Sequence, residues 1–73
     1  MTDYRNYIEI KSDIRFGKPC LKLTRISVSD VLAWLANGMT TQEIIADFPE
    51  LSEDHIQACL AYAADREHRI RVI

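Results

Sequence analysis

Ile26-Ser27-Val28-Ser29-Asp30-Val31, Met39-Thr40-Thr41-Gln42-Glu43-Ile44 and Leu51-Ser52-Glu53-Asp54-His55-Ile56 are three copies of one phrase. Each places a hydroxyl residue where it can accept a hydrogen bond from the unpaired amides of a helix start. Each also has an apolar residue just before that cap and another five positions later, the spacing of a hydrophobic staple. The first two copies add a carboxylate at the third helical position: Glu43 completes a capping box, and Asp30 is a shorter version of one. The stretch from Ile26 to about Arg66 therefore reads as three helices in quick succession.

The first helix is expected over Val28 to Asn37, with Val28, Val31, Leu32 and Leu35 as its core stripe and Gly38 in the left-handed position that ends helices. Trp34 flanks that stripe, either as core or as an anchor at a subunit contact. The second helix, Thr41 to Asp47, supplies Ile44, Ile45 and Phe48 and is stopped by Pro49. The third runs from Glu53 to about His68. Ile56, Cys59, Leu60 and Ala63 form its core face, with Ala58, Ala61, Tyr62 and Ala64 on other sides. A helix small or apolar over so much of its circumference buries more than one face. That second face, with Trp34, Ala58, Ala61 and Tyr62 as the contact, is the reason to expect a homodimer.

Ahead of the helices, Met1 to Asn6 reads as a frayed polar end. Tyr7 to Lys11 and Cys20 to Thr24 alternate as two short strands, which puts Leu21 and Leu23 on one face and Lys22 and Thr24 on the other. Ser12 to Gly17 connects them. Behind the helices, Arg69-Ile70-Arg71-Val72-Ile73 alternates again, either as a further strand or as an arm ordered by a partner. The fold class is thus α+β, mainly α: a single domain over 1–73, with a basic strand layer at 7–24, a three-helix helix-turn-helix-like core at 27–68, and a tail or strand at 69–73.

A chain of 73 residues makes one domain at most and buries only about 60% of its unfolded surface, so a partner subunit is an expected source of stability. Two cysteines, Cys20 and Cys59, with no leader-like stretch before them, argue for free thiols and a cytoplasmic location. No apolar run approaches the roughly 20 residues of a membrane span. Charge is unevenly spread. Met1 to Ser27 holds six basic residues against three acidic ones, while Val28 to Ala64 holds six acids and no Lys or Arg. A polyanion should meet the N-terminal third and be repelled by the helical middle.

The runs Gly17-Lys18-Pro19-Cys20-Leu21-Lys22-Leu23-Thr24-Arg25-Ile26, Asp30-Val31-Leu32-Ala33-Trp34-Leu35-Ala36-Asn37-Gly38-Met39 and Asp47-Phe48-Pro49-Glu50-Leu51 together resemble the bacterial family called domain of unknown function 433. The resemblance spans about Ile8 to Ala64. It implies a small dimeric protein with a helix-turn-helix-like core, and a role as a VapB-like antitoxin beside a PIN-like ribonuclease toxin. Leu23 stands where the family carries glycine. Leucine disfavours positive φ, so the turn there is expected to be reshaped.

For chemistry, the start of the third helix offers Glu53 and Asp54, which suit a helix dipole and repel phosphates, so this helix is not expected to read DNA. Lys18, Lys22, Thr24 and Arg25 are the candidate DNA contacts, as a strand ribbon or as an ordinary solvated face. Arg69 and Arg71 are candidate toxin contacts, since a planar guanidinium can occupy the carboxylate cluster of a PIN-type nuclease. His55 and Cys59 lie one helical turn apart, but no close-spaced ligand pairs accompany them, so no metal and no cofactor is expected; a buried thiol and a surface histidine are. With no phosphate loop and no nucleophile beside a base, an enzyme is not expected. The expected function is an antitoxin that binds its toxin and operator DNA. The alternative is a structural or adaptor homodimer without nucleic-acid contact.

Overall fold

The computed structural model describes residues 3–10 and 17–70. Two short antiparallel strands, β1 (Ile8–Ile10) and β2 (Pro19–Leu21), precede three helices, α1 (Val28–Ala36), α2 (Thr41–Asp47) and α3 (Glu53–Ile70). The architecture is α+β and mainly α, as the three-cap reading requires. Ile8 pairs with Leu21 in the strand register, and both side chains are buried against the helices.

The caps form as the sequence dictates. Ser27 Oγ accepts from the Asp30 amide at 3.0 Å while the Asp30 carboxylate accepts from the Ser27 amide at 3.2 Å. Thr40 and Glu43 repeat the exchange at 3.1 and 2.8 Å. In the third copy His55 replaces the carboxylate: its Nδ1 accepts from the Ser52 amide at 3.0 Å and lies 2.9 Å from the Ser52 hydroxyl. The histidine expected only as a surface residue is therefore a capping group. α1 ends in a Schellman motif, with the Gly38 amide on the Leu35 carbonyl, the Met39 amide on the Trp34 carbonyl, and Gly38 at φ 96°.

Four expectations are corrected. The second strand spans Pro19–Leu21 and stops there, so Lys22 and Thr24 lie beyond it. The Thr24 amide bonds back to the Leu21 carbonyl at 3.2 Å, and the Leu21 amide to the Ile26 carbonyl at 2.9 Å. Leu23, third residue of that turn, takes φ 65°, while Lys22 keeps a negative φ. This is the pattern of a type II turn, whose third position favours glycine. Leu23 accepts the left-handed angle at a cost of about 1 kcal/mol and stands fully exposed instead of sharing the face of Leu21.

Second, the N-terminal residues from Asp3 are not frayed. Asp3 caps a 3₁₀ turn, Tyr4–Asn6, that packs on α3. Tyr4 Oη donates to Asp65 at 2.6 Å, and its ring meets Tyr62 edge-on at 5.4 Å. Tyr7 sits edge-on to His55 at 5.2 Å and donates to Asp54 at 3.4 Å. Met1 and Thr2 lie outside the described residues.

Third, this strap changes which side of α3 is inside. Ala58 and Ala61 are buried beside Ile56 and Cys59, whereas Leu60, expected in the core, is 42% exposed. Tyr4 and Tyr7 pack against the same core from the N-terminal side. Ala58 and Ala61, expected as subunit contacts, are interior residues of the chain, while Tyr62 is half-buried. Trp34 is half-buried and stacked on Phe48 at 4.5 Å with ring planes 8° apart, which ties α1 to the turn after α2.

Fourth, α3 continues through Ile70 because no proline or glycine interrupts it, so Arg69 and Ile70 belong to the helix and not to a strand. Arg71 to Ile73, and Ser12 to Phe16 of the expected connection, lie outside the described residues.

If the strap is what closes α3, Tyr4→Phe should cost about 1 kcal/mol by losing the Asp65 bond, and Tyr4→Ala about 2 kcal/mol or more by also uncovering the alanines. Urea unfolding of the three proteins measures both; equal midpoints would mean that the strap contributes nothing.

Candidate functional site

A concavity lies between β2, α1 and α3. It is an open groove of about 780 Å³. Lys18 and Pro19 supply one wall: Pro19 begins β2, and the buried Cys20 thiol donates to the Lys18 carbonyl at 3.3 Å. α1 presents Val28 and Leu32 one turn apart, and α3 presents Ala63, whose small side chain keeps the groove open. The floor is therefore apolar. The rim carries Lys18 from one side and Arg66 and Glu67 from the other.

Arg66 is placed by a relay that starts at the N-terminal turn. Asp3 caps the turn, the turn seats Tyr4, and Tyr4 packs on Tyr62. Arg66 then donates from Nη1 to the Tyr62 hydroxyl at 3.3 Å, with its guanidinium 5.7 Å from the Tyr62 ring centre. The contact combines a hydrogen bond with a cation–π attraction. The sequence does carry a signal for it, Tyr62-x-x-x-Arg66 at helical spacing. Its meaning depends on Tyr4 sixty residues away, so Arg66 was not among the expected contacts.

The residues expected to meet DNA are not on one ribbon. Lys18 belongs to the groove just described. Thr24 and Arg25 line a second groove with Glu9, Phe48 and Glu50. Lys22 is exposed on the turn between. Thr24 is committed to that turn: its hydroxyl donates to the Leu21 carbonyl at 2.9 Å and accepts from the Ile26 amide at 3.1 Å. Both bonds brace the turn. Of the expected toxin contacts, Arg69 lies on the last turn of α3 and Arg71 lies outside the described residues.

Groups that could do chemistry are largely absorbed by the fold. Among the described residues no three of His, Cys, Asp and Glu converge as a metal site. Both cysteines are free and buried. Burial pushes the Cys59 thiol up to about 12 from its ordinary 9.0. His55 has its Nδ1 engaged at the start of α3. No helix among the described residues is long and apolar enough to cross a membrane.

Comparison with known proteins bears on the same stretch. A family model described as "Protein of unknown function (DUF433)" matches residues 8–63. Among solved structures, the crystal structure of a DUF433 member protein from Anabaena variabilis ATCC 29413 aligns at a TM-score of 0.82 with 26% sequence identity. The alignment covers 90% of this chain and 65% of that one, so the chain spans less than two thirds of that protein's length. No curated protein matches the chain.

The buried thiol yields a pH prediction with a definite sign. Its folded pKa is raised, so its contribution to stability is whole below about pH 9 and is lost as pH rises toward 12. Thermal midpoints should therefore fall across that window, less so in Cys59→Ala after allowing for that variant's own packing loss. Alkylation of Cys59 at pH 8 should follow global unfolding; rapid modification of the native chain would contradict the burial.

Proposed function

This chain belongs to the DUF433 family, and from that premise we propose that it is a protein-binding module rather than an enzyme, acting as the antitoxin of a type II toxin–antitoxin pair. The partner is a PIN-like ribonuclease. The observation that carries the reading is the α1–α3 groove, with its apolar floor and the cations Lys18 and Arg66 on its rim. Protein interfaces are built this way, an apolar centre inside a polar border. Arg66 also lies three residues before Arg69 in α3. An apolar segment of the nuclease fills the groove, and its acidic cluster meets the arginines through paired, charge-assisted hydrogen bonds.

Operator DNA is the second proposed partner, met by the exposed basic residues Lys18, Lys22 and Arg25. The acids of α2 and of the start of α3 face any phosphate unfavourably, which keeps DNA off those helices.

Co-expression with a PIN-like ribonuclease and measurement of growth rescue tests the first part. Ala63→Glu, which fills the groove with a charge, and Arg66→Glu, which reverses the rim, should each weaken neutralisation by about tenfold or more with little change in melting temperature. Truncation after Ala64 would also remove Asp65, on which Tyr4 depends, so Arg69→Ala and Arg71→Ala are the cleaner probes of the arm. Full rescue by all four variants would reject the reading. A mobility-shift assay with upstream DNA tests the second part: affinity should drop steeply with added salt, and absence of binding at low salt would leave an adaptor without nucleic-acid contact.

A further inference from the structure

The charges around the α1–α3 groove are unlike those of the helices that form it. From Val28 to Ala64 the chain has six acids and no Lys or Arg. The groove nevertheless carries two cations, because Lys18 enters from the strand side and Arg66 from just past the acidic stretch. Neither is committed to an acid: among the described residues, no carboxylate lies within ion-pair reach of either side chain. Arg66 uses Nη1 to hold the Tyr62 hydroxyl at 3.3 Å, which positions the guanidinium and leaves its other N–H groups for a ligand. Glu67 is the one acid among the described lining residues, so two cations face one anion and the rim stays positive.

Below that rim the floor is apolar, with Val28 and Leu32 from α1 and Ala63 and the Tyr62 ring from α3. A small ligand that suits both parts is apolar along its body and anionic at one end. Inorganic phosphate would leave the floor wet, and an apolar cation would be repelled at the rim. We propose that the groove is a binding site for a small amphiphilic carboxylate, a free medium-chain fatty acid. Its head pairs with Arg66 and Lys18, and its tail lies on Val28, Leu32 and Ala63. A carboxylate matches the planar guanidinium with two parallel hydrogen bonds. The groove volume of about 780 Å³ falls within the about 300–1,000 Å³ of small-molecule sites and admits a tail of about ten carbons. Occupancy masks the surface assigned to the nuclease. That regulatory consequence rests on the antitoxin reading, whereas the binding itself does not.

Titration of the whole chain with hexanoate, octanoate and decanoate, each below its micelle concentration, reads the site by calorimetry and by amide shifts in NMR spectra. Binding should saturate, with shifts centred on Val28, Leu32 and Ala63. Each added methylene should tighten it by about two- to fourfold. Octanol, which has the tail without the charge, should bind about fivefold or more weakly than octanoate. Arg66→Gln should erase that preference and Lys18→Gln should reduce it. Both side chains are exposed, so the melting temperature should change little. Ala63→Leu, which fills the floor, should abolish the gain with tail length. Absence of saturation at millimolar decanoate overturns the proposal. So do shifts that map away from the groove, or an octanol affinity equal to that of octanoate. A chain that binds no decanoate yet neutralises a nuclease through Arg66 overturns it and leaves the antitoxin reading intact. Groove-centred decanoate binding in a chain that neutralises no nuclease supports it and rejects that reading instead.

Discussion

The structure depends on three helix starts delivering three side chains to one point. Val31, Ile44 and Ile56 are each the fourth residue of a capped helix, each is without exposure, and all belong to one core cluster. α1 and α2 span nine and seven residues, lengths at which an isolated helix is marginal in water. Their stability has to come from both ends of the same device: the cap satisfies the first amides, and the staple residue behind it is pressed into the core. Ile26, Met39 and Leu51 supply the outer half of each staple and pack on the same cluster. Because the caps fix where each helix begins, they also fix which face each turns inward.

Once the helices are set, α3 is too apolar for the other two to cover. The chain solves this with its own N-terminus. Tyr4 and Tyr7 pack against the core while keeping their hydroxyls bonded to Asp65 and Asp54. The strap then has a consequence beyond coverage. By bracing Tyr62 it holds Arg66 at the lip of the α1–α3 groove, so the geometry of the candidate site begins at Asp3. A domain this small buries a modest share of its surface, and here one strap serves both closure and site geometry.

What was legible in the sequence was local. A hydroxyl, an apolar neighbour and a carboxylate within six residues specify a helix start wherever they occur, and the DUF433 runs are readable because they are contiguous. Gly38 announced its Schellman motif for the same reason. The misreadings involve residues whose role is decided at a distance. Alternation placed Leu23 inward, but the bonds from Thr24 to Leu21 and from Leu21 to Ile26 turn the chain first. Helical periodicity placed Leu60 inside and Ala58 outside, and the strap reversed them. Asp3-Tyr4-Arg5 did contain a cap signal, an acid ahead of a short turn, yet nothing nearby says that Tyr4 will find Tyr62. His55 was read by its usual chemistry, when its position three residues after Ser52 made it the counterpart of Asp30 and Glu43.

The strap also changes what self-association would mean for this chain. An α3 face left open would make the dimer a condition of folding, as in obligate dimers whose subunits have no stable fold alone. With Ala58 and Ala61 buried within the chain, folding does not wait on a partner to cover them. The tip at Leu23 contributes little to that fold: its left-handed backbone costs about 1 kcal/mol, and its side chain is fully exposed. A glycine would relieve the cost without disturbing a core that ends at Leu21 and resumes at Ser27. Leucine at that position is thus neutral or adverse for the single chain.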